Sequence, residues 1–420
     1  MTLFGDLMAT IFERRYAGGA RSEFAELEME DLTDRLLGSR GEGSGLALAG
    51  HILDRYAGMD DAGKTEFFRL IATRYDLDPP SARAALSAYA RNPGPATYRS
   101  YMAAAEPRRQ ELIRRLNQVP GATGRLVAMR ADLRRLSREA PLLGALDLDF
   151  RHLFASWFNR GFLVLLPINW ETPANILEKI IAYEAVHAID SWYDLRRRLQ
   201  PPDRRCFAFF HPAMPDEPLI FVQVALTRGV PGSIQDLLAE EREQIAGDAA
   251  DTAVFYSISN CQAGLAGISF GNSLIKQVVR DLMRALPQIG TFVTLSPIPG
   301  LMAWLEEDPA RLAAATADAE DLRRLAALYL TEAKDAGGAP RDPVARFHLG
   351  NGAMIHALHA GADISENGMS QSAGAMVNYL YDLARIPQNG EAYADAQEVA
   401  ASQQVRSLAR AAKKTEPQGA

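Results

Sequence analysis

Cysteine is almost missing from this sequence: two, Cys206 and Cys261, occur in 420 residues. They stand far apart and form no C-x-x-C pair, which excludes a zinc ribbon and a dithiol redox motif. Isolated thiols of this kind fit a reducing compartment, where they act as small hydrophobes. Long apolar runs are missing too. The strongest, Phe162 to Leu166, is far too short to cross a bilayer, so no membrane partner is expected. Met1 to Tyr16 mixes Asp6 and Glu13 with Arg14 and Arg15, and reads as an amphipathic helix instead of a signal peptide. The chain ends Gln418-Gly419-Ala420, which is no peroxisomal signal. A cytoplasmic location is the expectation, and the Ala/Arg-rich usage points to a bacterial source. Positive charge is not in excess: 45 Lys and Arg face 52 Asp and Glu, for a net charge of -7. That argues against a nucleic-acid partner while leaving room for a local basic patch that holds phosphates. Metal ligands are sparse as well. Glu184-x-x-His187 lies on a helical pattern without an evident third ligand, and His356-x-x-His359 has no acid nearby, so no metal site is expected.

What is present is an ordinary globular mixture, 48% hydrophobic and 23% charged, at a length that favours two domains. Residues 1–145 read as a bundle of seven or eight helices. Phe24-Leu27-Met29-Leu32-Leu36-Leu37 and Phe67-Phe68-Leu70-Ile71-Tyr75 carry apolar residues mostly three and four apart, and Gly38–Gly45, Asp78-Pro79-Pro80 and Asn92-Pro93-Gly94-Pro95 break the pattern. The arginine-rich stretch Arg108–Arg138 is expected to be a solvated face. Residues 146–420 read as a mixed α/β domain, so the whole is α+β. Strands are expected at Gly161–Ile168, Arg205–Phe210, Pro218–Leu226, Thr252–Ser259 and Gly290–Leu295, and helices at Ala174–His187, Ser233–Glu243, Asn272–Leu286 and Leu301–Leu330. Ser233 with Asp236 forms an N-cap pair.

Three segments carry possible chemistry. In the first, the run Val254-Phe255-Tyr256-Ser257-Ile258-Ser259 leads through Gly264-Leu265-Ala266-Gly267-Ile268-Ser269-Phe270-Gly271 into an amphipathic helix. A strand, a glycine turn and a helix aim backbone N–H groups and a helix dipole at an anion such as a pyrophosphate, with Lys276 and Arg280 as countercharge. A plain strand-to-helix turn is the bland reading. Gly267-Ile268-Ser269-Phe270-Gly271 also matches the G-x-S-x-G nucleophile elbow, with His348 downstream and Asp342 or Asp363 as the acid. No HGGG-type oxyanion loop precedes it. In the second segment, Thr294-Leu295-Ser296-Pro297-Ile298-Pro299-Gly300, Pro297 pushes Ser296 toward an extended conformation at a strand end. In the third, Asp342–Ala353, His348 stands before Gly350-Asn351-Gly352, which reads as an imidazole at a loop edge.

Together these segments resemble the malonyl-CoA decarboxylase family. The resemblance rests on Tyr183-Glu184-Ala185-Val186-His187, Arg204-Arg205-Cys206-Phe207, Glu217-Pro218-Leu219 and Val224-Ala225-Leu226-Thr227. It continues through Phe255-Tyr256-Ser257-Ile258-Ser259, Gly264-Leu265, Leu274-Ile275-Lys276, Leu295–Gly300 and Phe347-His348-Leu349. It implies a helical oligomerisation domain (1–145), a tetramer, and a catalytic domain (146–420) resembling the GNAT-type N-acetyltransferase fold. It implies catalysis by Ser296 and His348, with coenzyme A held by Ala266, Gly267, Ile268, Ser269, Phe270, Gly271 and Asn272 as well as by Ser296 and His348. Relatives can carry an acid where this chain has Ser269, which a nucleophile would not tolerate. The implied substrate is malonyl-CoA. Its own carbonyl accepts the electrons released with CO2, so no cofactor is needed. A thioesterase built on Ser269 and a non-catalytic acyl-CoA sensor are the competing readings.

Overall fold

The computed structural model describes residues 24–137, 140–268 and 274–415. Two compact units emerge. The first runs to Val164 and takes in two outlying segments, Phe210–Glu217 and residues 262–268; the second holds the remainder.

The first unit is helical: α1 (Met29–Gly38), α2 (Glu42–Ala57), α3 (Asp61–Arg74), α4 (Pro79–Arg91), α5 (Pro95–Ala105), α6 (Arg108–Leu116), α7 (Ala122–Leu136) and α8 (Gly144–Trp157). Its core joins Leu32, Leu36, Ile52, Phe68, Leu112, Leu126, Phe150 and Phe154, all nearly solvent-free. The arginines of α6 and α7 are not all solvated. Arg109 is buried between Asp149 and Asp76, and Arg130 pairs with Asp147 at 2.8 Å. Arg130 also donates to the carbonyls of Gly264 (2.7 Å) and Ala266 (3.1 Å), and so binds the outlying glycine segment to α7. Gly264 has to be glycine, because a Cβ there would overlap the Val127 carbonyl. Helices α4 and α5 differ from the others. Neither buries a single residue, and they pack as a hairpin on each other through Tyr89, Tyr98 and Tyr101.

The second unit is built on an eight-stranded mixed sheet. Its elements are β1 (Val164–Ile168), α9 (Ala174–Tyr183), α10 (Trp192–Leu199), β2 (Arg204–Phe210), β3 (Ile220–Thr227), α11 (Ile234–Leu238), β4 (Thr252–Asn260), α12 (Leu274–Ala285), β5 (Thr291–Thr294) and β6 (Ser296–Pro297). They continue with α13 (Leu301–Leu305), α14 (Pro309–Ala317), α15 (Ala319–Glu332), α16 (Pro343–Gly350), β7 (Met354–His359), α17 (Glu366–Ser372), β8 (Met376–Leu380), α18 (Ile386–Ala396) and α19 (Gln403–Thr415). The strand order is β1-β2-β3-β4-β5-β8-β6, with β7 on β8. The pairs β2–β3, β3–β4, β5–β8, β6–β8 and β7–β8 are antiparallel, whereas β4 and β5 run parallel with α12 as their crossover. Helix α12 turns Leu274, Ile275, Val278, Val279 and Leu282 inward, each worth about 1.5–3 kcal/mol of burial.

Two features of the sheet shape the site. Gln223 pairs with Ser257 but Val224 with Phe255, so Tyr256 is an extra residue, a bulge in β4. Beyond it, β4 and β5 separate: they pair only from Thr252 to Phe255, and the chain leaving β5 crosses to β8, where Ser296 pairs with Val377.

Candidate active site

Ser296 lies where β5 has left β4. Pro297 restricts it to extended backbone, as the sequence implied, and its strand pairing with Val377 fixes the direction of the side chain. His348 does not stand on a loop edge. It occupies the last turn of α16 and is only 2% exposed. The helix is anchored by Asp342, whose carboxylate accepts the N–H groups of Val344 (2.9 Å) and Ala345 (2.8 Å) at its start. Asp342 also accepts the Gly300 N–H at 3.4 Å, so it ties the turn after Ser296 to the helix of His348. A side chain at Gly300 would strike the Tyr329 hydroxyl, which accounts for the glycine that ends Ser-Pro-Ile-Pro-Gly.

Although 52 residues separate them in sequence, Ser296 Oγ and His348 Nε2 lie 3.3 Å apart. On the far side of the imidazole, Nδ1 is 2.8 Å from the Tyr381 hydroxyl. The ring stacks on Tyr379, with centroids 4.5 Å apart and planes 24° apart. Ser296 Oγ donates to Thr294 Oγ1 at 2.8 Å, and Thr294 Oγ1 also accepts the Tyr379 N–H at 3.1 Å. Thr294, Ser296, His348 and Tyr381 thus form one buried chain of neutral hydrogen-bonding groups.

Burial sets the electrostatics. A helix C-terminus favours a cationic histidine, yet loss of hydration pushes His348 down to about 3 and outweighs that preference. Tyr381 is held well above the usual phenol range for the same reason. Burial also raises Asp342 to about 6 against the opposing pull of its three N–H donors and Arg346. At neutral pH the imidazole is therefore uncharged.

A cavity of about 240 Å³ opens onto this chain between β4 and β6. Its walls include Val186, Val222, Ile258, Ile275 and Val344, and its polar lining includes Ser296, His348 and Asn260. Among the described residues that line it, none is charged.

Ala266, Gly267 and Ile268 form a turn closed by Ile268 N–H to the Leu265 carbonyl at 3.0 Å. Ala266 (φ -58, ψ 135) and Gly267 (φ 76) have type II geometry, which calls for glycine at its third position. Ser269, Phe270, Gly271 and Asn272 lie outside the described residues, and the G-x-S-x-G serine lies among them. The acids expected of a hydrolase triad are committed elsewhere. Asp342 caps α16, Asp363 accepts from Gln235 and the Ser365 N–H, and the nitrogen of His348 that a triad acid would hold belongs to Tyr381. Helix α9 stops at Tyr183, so Glu184 and His187 share no helical face. Glu184 instead accepts from Ser257, Ser259 and Gln223. His359 bonds Asn378 at 2.5 Å. The sequence reading missed Thr294, Tyr379 and Tyr381. Thr294 was legible in principle, since residues two apart in an extended chain share a face.

Comparison with known proteins bears on the family. A family model described as the malonyl-CoA decarboxylase C-terminal domain matches residues 161–321 and 310–419, and one for the N-terminal domain matches residues 75–158. The chain belongs to the malonyl-CoA decarboxylase family. It is 36% identical over 351 residues to the mitochondrial malonyl-CoA decarboxylase of Anser anser anser, covering 72% of this chain and 69% of that protein. Crystal structures of malonyl-CoA decarboxylases from Rhodopseudomonas palustris and Agrobacterium vitis superpose with TM-scores of 0.86 each. They are 50% and 49% identical; the first covers 90% of this chain and 98% of its own, the second 91% and 99%. For this family member, the hydrolase reading of Ser269 and the non-catalytic sensor have no support in these comparisons.

Proposed function

We propose that this protein is a carboxy-lyase that converts malonyl-CoA to acetyl-CoA and CO2, with Ser296 and His348 as its catalytic pair. The hydrogen-bonded contact of Ser296 with His348, at the end of a cavity lined by no charged side chain among the described residues, carries the assignment of the pair. When the bond to the carboxylate carbon breaks, its electron pair moves into the thioester and makes an enolate. Hydrogen-bond donors fixed at the carbonyl oxygen lower that barrier. The enolate then collapses to the thioester as its carbon takes a proton, so each turnover consumes one proton from solvent. Ser296 and the neutral His348 supply polarisation and proton delivery between them.

The same reading places the pantetheine arm along β4. Past Phe255 that strand no longer pairs with β5, and Tyr256, Ile258 and Asn260 border the cavity, so backbone groups there suit the arm's amides. This parallel pair with its splay is what supports a GNAT-type reading of the catalytic domain. The pyrophosphate is assigned to the turn at Ala266–Asn272, where the type II geometry of Gly267 brings backbone to the surface. Self-association is assigned to the helical unit, as a tetramer. The α4–α5 hairpin supports it, because Leu86, Tyr98 and Met102 stay about half exposed there. No helix among the described residues is long and apolar enough to cross a membrane. A cytoplasmic location is proposed, since the chain has two cysteines, far apart in sequence and both buried. The Anser anser anser relative is named mitochondrial, and cell fractionation decides between the two.

The decisive experiment is single-turnover CO2 release from malonyl-CoA by Ser296→Ala and His348→Ala, beside affinity for a non-decarboxylating analogue. Each should lose about 10²–10⁴-fold in rate, the range for a positioned acid–base group, at nearly unchanged affinity. The double variant should lose little more than the worse single one. Near-normal turnover in both single variants refutes the assignment.

A further inference from the structure

We propose that Thr294 is a positioning residue: by accepting the Ser296 hydroxyl proton it holds His348 in the tautomer that carries hydrogen on Nε2. The proposal rests on Ser296 and His348 being the reacting pair.

Ser296 has one proton, and at 2.8 Å it is given to Thr294 Oγ1. Toward His348, then, Ser296 Oγ offers only lone pairs, and the 3.3 Å contact requires the proton to sit on Nε2. A neutral imidazole carries one ring hydrogen, so Nδ1 is an acceptor and the Tyr381 hydroxyl donates to it at 2.8 Å. Nothing charged enters this assignment, because His348 is fully buried and its only large electrostatic perturbation is loss of hydration. Thr294 is itself held rigidly. It is fully buried, its Oγ1 accepts the Tyr379 N–H at 3.1 Å, and its carbonyl accepts the Asn378 side chain at 2.8 Å. It is a fixed acceptor and cannot follow the serine.

The consequence for the reaction is a division of labour. As charge grows on the enolate oxygen, that oxygen becomes a stronger acceptor than a neutral threonine hydroxyl, and the Ser296 O–H turns to it. His348 keeps the transferable proton on Nε2. The enolate carbon takes that proton, Nδ1 takes the Tyr381 phenol proton, and the phenolate regains one from water. Net uptake is the single proton that decarboxylation to acetyl-CoA demands. Without Thr294 the resting serine would donate to Nε2, and the imidazole would hold its hydrogen on the wrong nitrogen, facing Tyr381.

The test is Thr294→Val, nearly isosteric but without the acceptor, with Thr294→Ser as the conservative control. Thr294→Cys, which leaves a weak acceptor beneath the Tyr379 amide, repeats the measurement should the valine variant unfold. Two readouts are taken on the full chain: steady-state kcat and KM for malonyl-CoA, and ¹⁵N spectra of ring-labelled histidine, with His348 assigned by its loss in His348→Gln. Thr294→Val should lower kcat by roughly 10–100-fold at little change in KM, the scale of a misplaced reacting group. It should also move the His348 hydrogen from Nε2 to Nδ1, whereas Thr294→Ser keeps the wild-type tautomer and most of kcat. A wild-type kcat in Thr294→Val, or a lowered kcat with the hydrogen still on Nε2, overturns the proposal. Ser296→Ala and His348→Ala are measured alongside. If both turn over normally, the site assignment falls and takes this proposal with it. If both are inactive while Thr294→Val is normal, only the role of Thr294 falls.

Discussion

Asp342 offers a stability test whose sign is set by burial. Its carboxyl is 1% exposed and stands at about 6 in the folded protein instead of 3.8. The ionised form therefore costs about 3 kcal/mol more in the fold than in the unfolded chain. Because the folded value is the raised one, this group's contribution is fully favourable below about 3.8 and is lost as pH rises through about 6. Asp342→Asn keeps an oxygen for the Val344 and Ala345 N–H groups and removes the charge. It gives up the long 3.4 Å bond from Gly300, worth about 0.5–1 kcal/mol. The variant should exceed the parent by about 2 kcal/mol at pH 8, and about 1.5 kcal/mol of that difference should vanish by pH 5. For a unit of this size that is a Tm gain of about 4–8 °C at pH 8, shrinking as the pH falls. Asp203 and Asp363, whose carboxyls are held below the usual range, contribute the opposite pH dependence. They cancel when parent and variant are compared at each pH. Parallel thermal or urea unfolding at pH 5, 6, 7 and 8 reads the difference. A difference that does not change with pH, or that shrinks as pH rises, refutes the burial argument.

Two further outcomes are expected. Gly267→Val places a β-branched residue at φ 76, so it should raise KM for malonyl-CoA several-fold or more while kcat at saturation changes little; an unchanged KM removes this turn from coenzyme binding. Replacing Leu86 and Met102 together by serine should leave the monomer folded, since both are about half exposed and neither belongs to the tyrosine cluster that joins α4 to α5, but shrink the assembly seen by light scattering; equal masses for parent and variant would exclude the hairpin from self-association.

The strands that were legible in the sequence are those with a uniform environment. Residues 204–210, 220–227 and 252–260 are apolar runs buried on both faces, and each expected strand lies within a residue or two of the observed one. Ser233 caps α11 through the Asp236 N–H, as its pairing with Asp236 suggested. The last strands were not legible. Met354–His359 and Met376–Leu380 are short, interrupted by polar residues, and made into strands by pairing with each other across a bulge at His356. The expected helix over Leu301–Leu330 is three helices, because Asp308 before Pro309 and Asp318 before Glu320 each start a new one by accepting backbone N–H groups. Those caps were visible in the sequence, and the apolar periodicity across them masked the breaks. At the site, Ser296 and His348 came from the family pattern. Tyr381 carried no local signal at all: its function depends on β8 pairing that brings it against a helix 33 residues earlier.

The electrostatic economy of the cavity fits the reaction better than a cationic pocket would. An arginine or lysine about 4 Å from the malonyl carboxylate would hold it by about 4 kcal/mol at an effective dielectric of 20. That hold disappears as the carboxylate leaves as neutral CO2, so it would deepen the ground state without helping the transition state. Among the described residues no such cation lines the cavity, and the groups that touch it are apolar or neutral donors. On the proposed assignment the charge that develops on the thioester oxygen falls beside Ser296 and His348, which Thr294 and Tyr381 hold in hydrogen bonds. Neutral donors suffice there because burial strengthens them: water that would compete for their hydrogen bonds is largely excluded at His348, which is only 2% exposed. The same loss of hydration that keeps the imidazole uncharged thus makes it an effective donor, and it removes any need for a fixed positive charge beside a substrate that must shed a negative one.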